Sequence, residues 1–293
     1  MRIRIVDAFT DRPFAGNPAG VLLLDGDAFP DDTWLRDVAG EINHAETAFA
    51  HRLPADGNGD GNGDGNGDGN GDGNGDGNGN ADWALRWFTP TTEVALCGHA
   101  TLATAHVLHT TGAHRGPVRF ASRSGVLRAT PGDDGAITLD LPTAPLTEEP
   151  VPDGLAEALG ATPLTAFDTG PQVGDLLVEL PDERAVLNLA PDLRTLADRF
   201  TRGIIATARA DDPARGHDFV SRCFFPGIGI DEDPVTGAAH TALAPYWSAR
   251  LGRTTLTGLQ ASARSGLVRT DLRGARTLLT GHAVTVIDGE LHA

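Results

Sequence analysis

Residues 86–108 read RWFTPTTEVALCGHATLATAHVL, and residues 222–244 read RCFFPGIGIDEDPVTGAAHTALA. Both start on Arg-x-Phe, reach a Pro at the fifth position and run into an Ala/Thr/Leu-rich segment, 136 positions apart. That offset pairs Arg86 with Arg222, Phe88 with Phe224, Pro90 with Pro226 and Cys97 with Asp233. A second echo lies downstream, where RSGVLR at 123–128 returns as RSGLVR at 264–269. Repetition at two places in the same order argues that the whole chain is doubled.

The upstream segments fit the same scheme. AGVLLLDG and AETAFAHR in the first half resemble VGDLLVEL and GIIATARA in the second, in strand–helix–strand order. Pairing residues 45–52 with 202–209 needs an offset of 157, which is 21 more than downstream. The excess is close to the length of the run DGNGDGNG… at 56–80. Its opening fits a calcium loop, but Gly67 stands at position twelve, where a bidentate Glu is required. A polar Gly-rich tract cannot bury enough surface to offset its ordering entropy. The run therefore reads as a disordered insertion in the first half.

Each half predicts an alternating strand (21–24; 176–180), then a helix with Asp caps near 31–32 or after Pro191. Strands follow at 45–51 and 83–88, matched by 204–209 and 219–225. An apolar helix comes next, from about 98 to 112 or 236 to 251, and short strands close each unit. The expected fold class is α+β, with halves at 1–130 and 131–293 and a last strand that packs back on the first half. Each helix is apolar on most faces and wants walls all round. Its first N–H groups have no partner inside the helix. At these two starts stand CGHAT and DEDPVTG, so two helix N-termini facing one cleft would receive a carboxylate.

Composition narrows the function. A chain of 293 residues with 40% apolar content supports a full core. A net charge of −17 argues against nucleic-acid binding. No stretch approaches the roughly 20 apolar residues that span a bilayer, and the N-terminus has no signal-peptide pattern; a cytoplasmic protein is expected. All 23 cationic residues are Arg, which removes lysine Schiff-base chemistry. Cys97 and Cys223 have no CxxC spacing and the ten His no HExxH, so no metal site is expected.

The segments DAFTDRPFAGNPAGV, EINHAETAF, FTPTTEVALCGHATLATAHVL and DEDPVTGAAH, with the RSG strand, resemble the PhzF-like family of phenazine-biosynthesis isomerases. The resemblance spans nearly the whole chain outside the Gly-Asn tract. It implies a diaminopimelate-epimerase-like fold of two pseudo-symmetric halves. Each half is a strongly curved, antiparallel-rich sheet around a central apolar helix, with the ligand between the halves. It further implies a homodimer, no metal or organic cofactor, and a small carboxylated substrate like trans-2,3-dihydro-3-hydroxyanthranilate, whose double bond is moved by a proton shuttle. Catalytic roles carry over to Glu46, His99 and Asp233. Substrate contacts carry over to Asn17, Ala45, Cys97, Gly98, Thr236, Gly237, Ala238 and Arg264.

The residues suit those roles. A carboxylate acting as base and then acid needs a raised pKa, which an apolar cleft supplies. A His at the start of a buried helix is kept neutral, and Asp233 is also placed to cap a helix. A thiol at a helix N-terminus should have a lowered pKa, so a Cys97/Asp233 epimerase is the competing activity. A ligand-binding protein without catalysis is the third. Ala45 and Ala238 stand where the phenazine enzymes carry Ser, which implies a different substrate.

Overall fold

Two helices without a polar face need strands on every side, and the computed structural model supplies them over the residues it describes, 1–54 and 81–292. The expected disordered insertion at 56–80 lies outside the described residues. The first half runs β1 (Arg2–Ala8), β2 (Asn17–Leu24), α1 (Asp32–Ile42), β3 (Glu46–Arg52), β4 (Trp83–Phe88) and β5 (Glu93–Val94). It continues with α2 (Gly98–Thr110), β6 (Val118–Ser122), β7 (Gly125–Pro131) and β8 (Ile137–Pro142). Then come β9 (Thr147–Glu149), α3 (Leu155–Leu159), β10 (Thr165–Asp168), α4 (Gly170–Val173) and β11 (Leu176–Glu179). After these lie α5 (Glu183–Leu187), α6 (Leu193–Arg199), β12 (Ile204–Arg209), β13 (Phe219–Phe225) and β14 (Ile230–Asp233). The chain ends on α7 (Gly237–Leu251), β15 (Thr255–Gln260), β16 (Gly266–Arg273), β17 (Arg276–Gly281) and β18 (Ala283–Glu290).

The pairing is doubled strand for strand. β1–β2 is antiparallel, β2–β3 parallel, β3–β4 antiparallel, β4–β6 parallel, and β6–β7–β8 antiparallel. β10–β11, β11–β12, β12–β13, β13–β15 and β15–β16–β17 repeat that order of senses. The antiparallel pair β8–β17 joins the halves. Beyond it β9 lies on β10, and β18 crosses back to β1. Each half's chain thus ends on the other half's first strand, and the boundary at 130/131 lies inside β7. The parallel pair β2–β3 needs a crossover, which is α1. In the second half two short helices, α5 and α6, do this instead of the single helix expected after Pro191.

The helices start and end for local reasons. Asp31 caps α1 by accepting from the Thr33 and Trp34 N–H groups, each at 3.0 Å. Asn43 ends it in the left-handed region, φ 52°. Every residue of α2 from Gly98 to Ala105 is buried. Its threonines bond inside their own helix, Thr101 Oγ1 to the Cys97 carbonyl at 2.6 Å and Thr104 Oγ1 to Ala100 at 2.7 Å. Val6, Val21, Leu85, Trp87, Phe120 and Leu139 pack around α2. Leu177, Ile205, Phe219 and Leu256 do so around α7, where Phe219 stacks on Trp247.

The strand register corrects one pairing. Val94 lies opposite Trp87 on β4, and Asp233 lies opposite Cys223, the counterpart of Trp87, on β13. Asp233 therefore corresponds to Val94, and Cys97 corresponds to Thr236, since both directly precede the glycine that starts their helix. The offset grows from 136 to 139 because Pro226–Ile228 forms an extra 3₁₀ turn, closed by Gly229 at φ 85°. Cys97 and Asp233 are not equivalent positions of the two halves.

Candidate functional site

The two apolar helices meet at their N-termini. A methyl group on Gly98 or Gly237 would lie 3.3 Å from the other glycine's Cα, so the backbones touch where side chains would hold them apart. Around that contact stand side chains from both halves. Glu46 opens β3, Cys97 and His99 flank the start of α2, and Asp233 ends β14.

Asn17 ties the halves together. It opens β2 after Gly16, whose φ is 64° and whose Cβ would lie 2.1 Å from the Ala8 carbonyl, so only glycine fits. The buried Asn17 Nδ2 donates to Asp233 Oδ1 at 2.9 Å and to the Val235 carbonyl at 2.9 Å, and lies 3.2 Å from His99 Nδ1. Its Oδ1 is buried without a partner among the described residues. The other Asp233 oxygen accepts from Thr236 Oγ1 at 2.5 Å. The Thr236 N–H goes to Gln260 Oε1 at 2.7 Å, so Asp233 does not cap α7.

Glu46, His99 and Cys97 form a compact group. Glu46 Oε2 is 3.4 Å from His99 Nε2, and Cys97 Sγ is 3.5 Å from His99 Nδ1. Burial, reinforced by the Asp233 charge, pushes the Glu46 carboxyl up to about 8. Burial, helped by His44, pushes His99 down to about 3, so the ring is neutral and its approach to Glu46 is no ion pair. With Nδ1 facing the Asn17 amide and the Cys97 thiol, the network assigns the ring proton to Nε2, toward Glu46. Asp233 is also raised by burial.

The thiol departs from expectation. Burial raises Cys97 well above the usual thiol value, and the nearby Glu46 and Asp233 charges add to it. These outweigh the helix N-terminus that was expected to lower it. Ligand atoms of Glu46, Cys97 and His99 all lie within 4.8 Å of one another, a spacing a metal could use. A metal takes the thiolate, which only the ion's own charge would generate here, since burial holds the thiol protonated without it.

The remaining expected residues divide. Ala45 and Ala238 are half-buried beside Glu46 and Gly237, with no hydroxyl to offer. Arg264 is engaged with the scaffold: Nε donates to the Gly16 carbonyl at 2.8 Å, and a terminal nitrogen to Ala15 at 3.0 Å and Asp7 Oδ1 at 2.6 Å. It holds the turn that presents Asn17. Next to Asp233, Glu232 is bound by Arg222 with two bonds of 2.7 and 2.8 Å, yet its charge still helps burial to raise Asp233. The first half carries the same clamp, Arg86 on Glu93 at 2.8 Å twice.

Sequence reasoning missed two supporting residues. Gln260 is fully buried and also donates to the Asp233 carbonyl at 2.8 Å. Asp7 is buried between Arg264 and the Phe14 N–H. Gln260 is a polar residue on the inward side of the alternating β15, which was the available signal, whereas Asp7 lies on the face of β1 opposite Val6 and Ala8 and gave none.

Comparison with known proteins agrees with this geometry. A family model described as phenazine biosynthesis-like protein matches residues 6–289. An uncharacterized isomerase of Pseudomonas aeruginosa is 43% identical over 98% of this chain and 97% of its own length. The crystal structure of a PhzF-family phenazine biosynthesis protein from Enterococcus faecalis superposes with a TM-score of 0.83 at 34% identity, covering 100% and 99% of the two chains. A hydroxyproline epimerase from Agrobacterium vitis shares the fold alone, with a TM-score of 0.60 at 13% identity over 99% and 91%. The architecture is thus the diaminopimelate-epimerase-like one, and the chain belongs to the phenazine biosynthesis-like family.

Proposed function

We propose that this protein is a cofactor-independent isomerase that moves a proton, and with it a double bond, within a small carboxylated molecule. The observation that carries the reading is the Glu46 carboxyl, raised to about 8 where the two helix N-termini meet. As carboxylate, Glu46 removes a proton from a ring carbon activated by conjugation. The electron pair spreads into the adjacent unsaturation, and the resulting carboxylic acid returns the proton to another carbon on the same face. No redox change is involved. A pKa near the working pH lets one group serve as base and then as acid.

His99, neutral and carrying its proton on Nε2, donates toward the oxygen where charge collects. The free N–H groups at the starts of α2 and α7 hold the substrate carboxylate. Asp233, held by Asn17 and Thr236, orients a substrate hydroxyl or amine. Ala45 and Ala238 remove two donors, so the substrate differs from the phenazine precursor in at least one polar group. The thiol epimerase is disfavoured, because Cys97 is held as a thiol and Asp233 is not its counterpart across the halves.

The test is solvent-deuterium exchange. The protein is incubated in D₂O with a panel of small cyclic dihydro-carboxylates and the products are read by mass spectrometry. Exchange at a ring carbon, retained in Cys97→Ala, is expected. Exchange at the α-carbon of amino or hydroxy acids, lost in Cys97→Ala, would establish the epimerase instead.

A further inference from the structure

A second cavity lies away from Glu46. Along β15 and β16, Leu256, Gly258, Gln260, Val268 and Thr270 are buried. The alternate residues Thr257, Leu259, Leu267 and Arg269 line a cavity of about 530 Å³, walled also by the loop after β1 and the β7–β8 and β17–β18 turns. This size falls within the range of small-molecule sites. Glu46, Cys97, His99 and Asp233 do not line it. Its wall is tightly packed at Gly266, where a Cβ would lie 2.6 Å from the Val235 side chain and 2.8 Å from the Phe9 carbonyl.

In a chain of net charge −17, the cavity gathers Arg12, Arg215 and Arg269. Arg12 and Arg269 make no ion pair among the described residues, and Arg215 reaches Glu183 only at 3.5 Å. Asp11 and Asp134 are the acidic residues on the walls, and Asp134 Oδ1 accepts from the Ala136 N–H at 3.0 Å. The feature that looks built is His217. The ring is buried yet lines the cavity, and its Nε2 is fixed on buried Glu183 Oε1 at 3.0 Å. Glu183 is itself anchored by the Asp211 N–H at 2.8 Å. Nδ1 of His217 has no protein partner among the described residues. A carboxylate holding one imidazole nitrogen fixes the ring so that the other can serve a ligand.

We propose that this cavity is a second binding site, separate from the Glu46 cleft, for a small molecule bearing oxyanion groups. The two unpaired guanidinium groups suit the planar oxygens of a phosphate or a carboxylate, which they can bind through paired hydrogen bonds. With its Nε2–H donated to Glu183, His217 presents the Nδ1 lone pair. That lone pair accepts one directed hydrogen bond from a ligand hydroxyl, such as the P–OH of hydrogen phosphate or the hydroxyl of citrate, and Thr257 lies on the wall to donate to a further oxygen. Arg269 is the closing residue of the repeated RSG segment. That residue has no part in the Glu46 site.

The test is calorimetry on the full chain at low ionic strength, where such contacts are least screened, with inorganic phosphate and citrate as separate probes. One saturable site per chain is expected for at least one probe, and which one binds identifies phosphate or carboxylate chemistry. In the double variant Arg12→Ala/Arg269→Ala, both positions being exposed, affinity should fall roughly tenfold or more. In Glu46→Gln it should be unchanged. Equal affinity in the double variant, loss of binding in Glu46→Gln, or no saturable binding of either probe overturns the proposal.

Discussion

The two halves share a scaffold and differ at the positions that bear chemistry. Both keep the Arg–Glu clamp between the fourth strand and the short strand after it, Arg86–Glu93 and Arg222–Glu232. Both keep the glycine that starts the central helix. By register, however, Glu46 corresponds to Gly203, Cys97 to Thr236, His99 to Ala238, and Asp233 to Val94. The first half thus provides the raised carboxyl and the imidazole, while the second provides an acidic partner and a helix end. Doubling a fold gives two helix N-termini at one point; changing one copy then gives a site whose faces do different work.

The comparison breaks most sharply at Glu46. Glu46→Gln keeps the shape of the Glu46 side chain and removes the base, so ring-proton exchange should fall roughly 10²–10⁴-fold, as for other general bases. Folding should be intact by circular dichroism. Undiminished exchange in this variant would remove Glu46 from the reaction. Gly203→Glu should not restore exchange, because a Cβ there would lie 2.2 Å from the Phe225 ring and 2.6 Å from Asp175 Oδ1, so the new carboxyl would displace its own surroundings.

The same residue leaves a signature in stability. Its carboxyl moves from an ordinary 4.5 to about 8 on folding, so the native state holds the proton more tightly than the unfolded chain. Stability therefore falls as pH rises from about 4.5 to about 8 and is unaffected by this group above that. Asp233 and Asp175, also raised by burial, contribute in the same direction. Glu46→Gln removes its share, so the variant should gain on the wild type with rising pH, by about 4 kcal/mol at pH 8 in urea titrations. A constant difference between pH 5 and 8 would show that the carboxyl is not raised. For the wild type, kcat/KM should rise with pH through about 8 as the base ionises.

The shared clamps give a smaller and more symmetrical effect. Arg222→Ala leaves half-buried Glu232 without its partner, at a cost of about 2 kcal/mol, whereas Arg86→Ala leaves Glu93 still bound by Arg123 at 2.9 Å and costs somewhat less. Arg222→Ala should cost more, since Arg222 also donates to the Leu189 carbonyl at 2.6 Å. A negligible cost in one half alone, by denaturant unfolding, would show that the clamp is scaffold in only one copy.

How much of this was legible follows from the same contrast. The repeated Arg-x-Phe and RSG segments carried the doubling, and the strands at 83–88, 204–209 and 219–225 have the bounds expected. Alternation and the Ala/Thr/Leu helices are local signals, so they survive in one sequence. The turn Pro226–Ile228 was not legible. Three extra residues between two short strands leave no periodic mark, so Cys97 was matched to Asp233 when its counterpart is Thr236. The raised thiol was equally hidden, because a helix start is visible in sequence whereas the charges folded against it are not. Arg264 looked like a substrate ligand for the same reason, since Asp7 is 257 residues away in the chain.

Cys97 sharpens the comparison at a lower level. Its counterpart Thr236 bonds Asp233, whereas the thiol bonds Glu46 and lies 3.5 Å from His99 Nδ1. Cys97→Ala should lower activity less than tenfold, and the native thiol should resist alkylation at pH 8, being buried and protonated. Fast labelling with loss of exchange would return the thiol to the mechanism.

The smallest effect is expected where the halves differ most in length. Residues 55–80 connect β3 to β4, which are antiparallel neighbours with Arg52 opposite Trp83. The pairing extends past the strand ends, since the Leu53 N–H donates to the Asp82 carbonyl at 3.1 Å. The second half joins the matching strands, β12 and β13, without such a tract. Two antiparallel strands already in register need only a turn of a few residues. Loop closure costs about 0.6 kcal/mol per doubling of length, so replacing 55–80 by a Gly-Ser turn should stabilise by at most about 1–2 kcal/mol. Activity should stay within twofold, because β3 carries Glu46 at its opposite end, six residues before Arg52. A folded deletion variant that has lost activity would show that the tract takes part in the first half's chemistry.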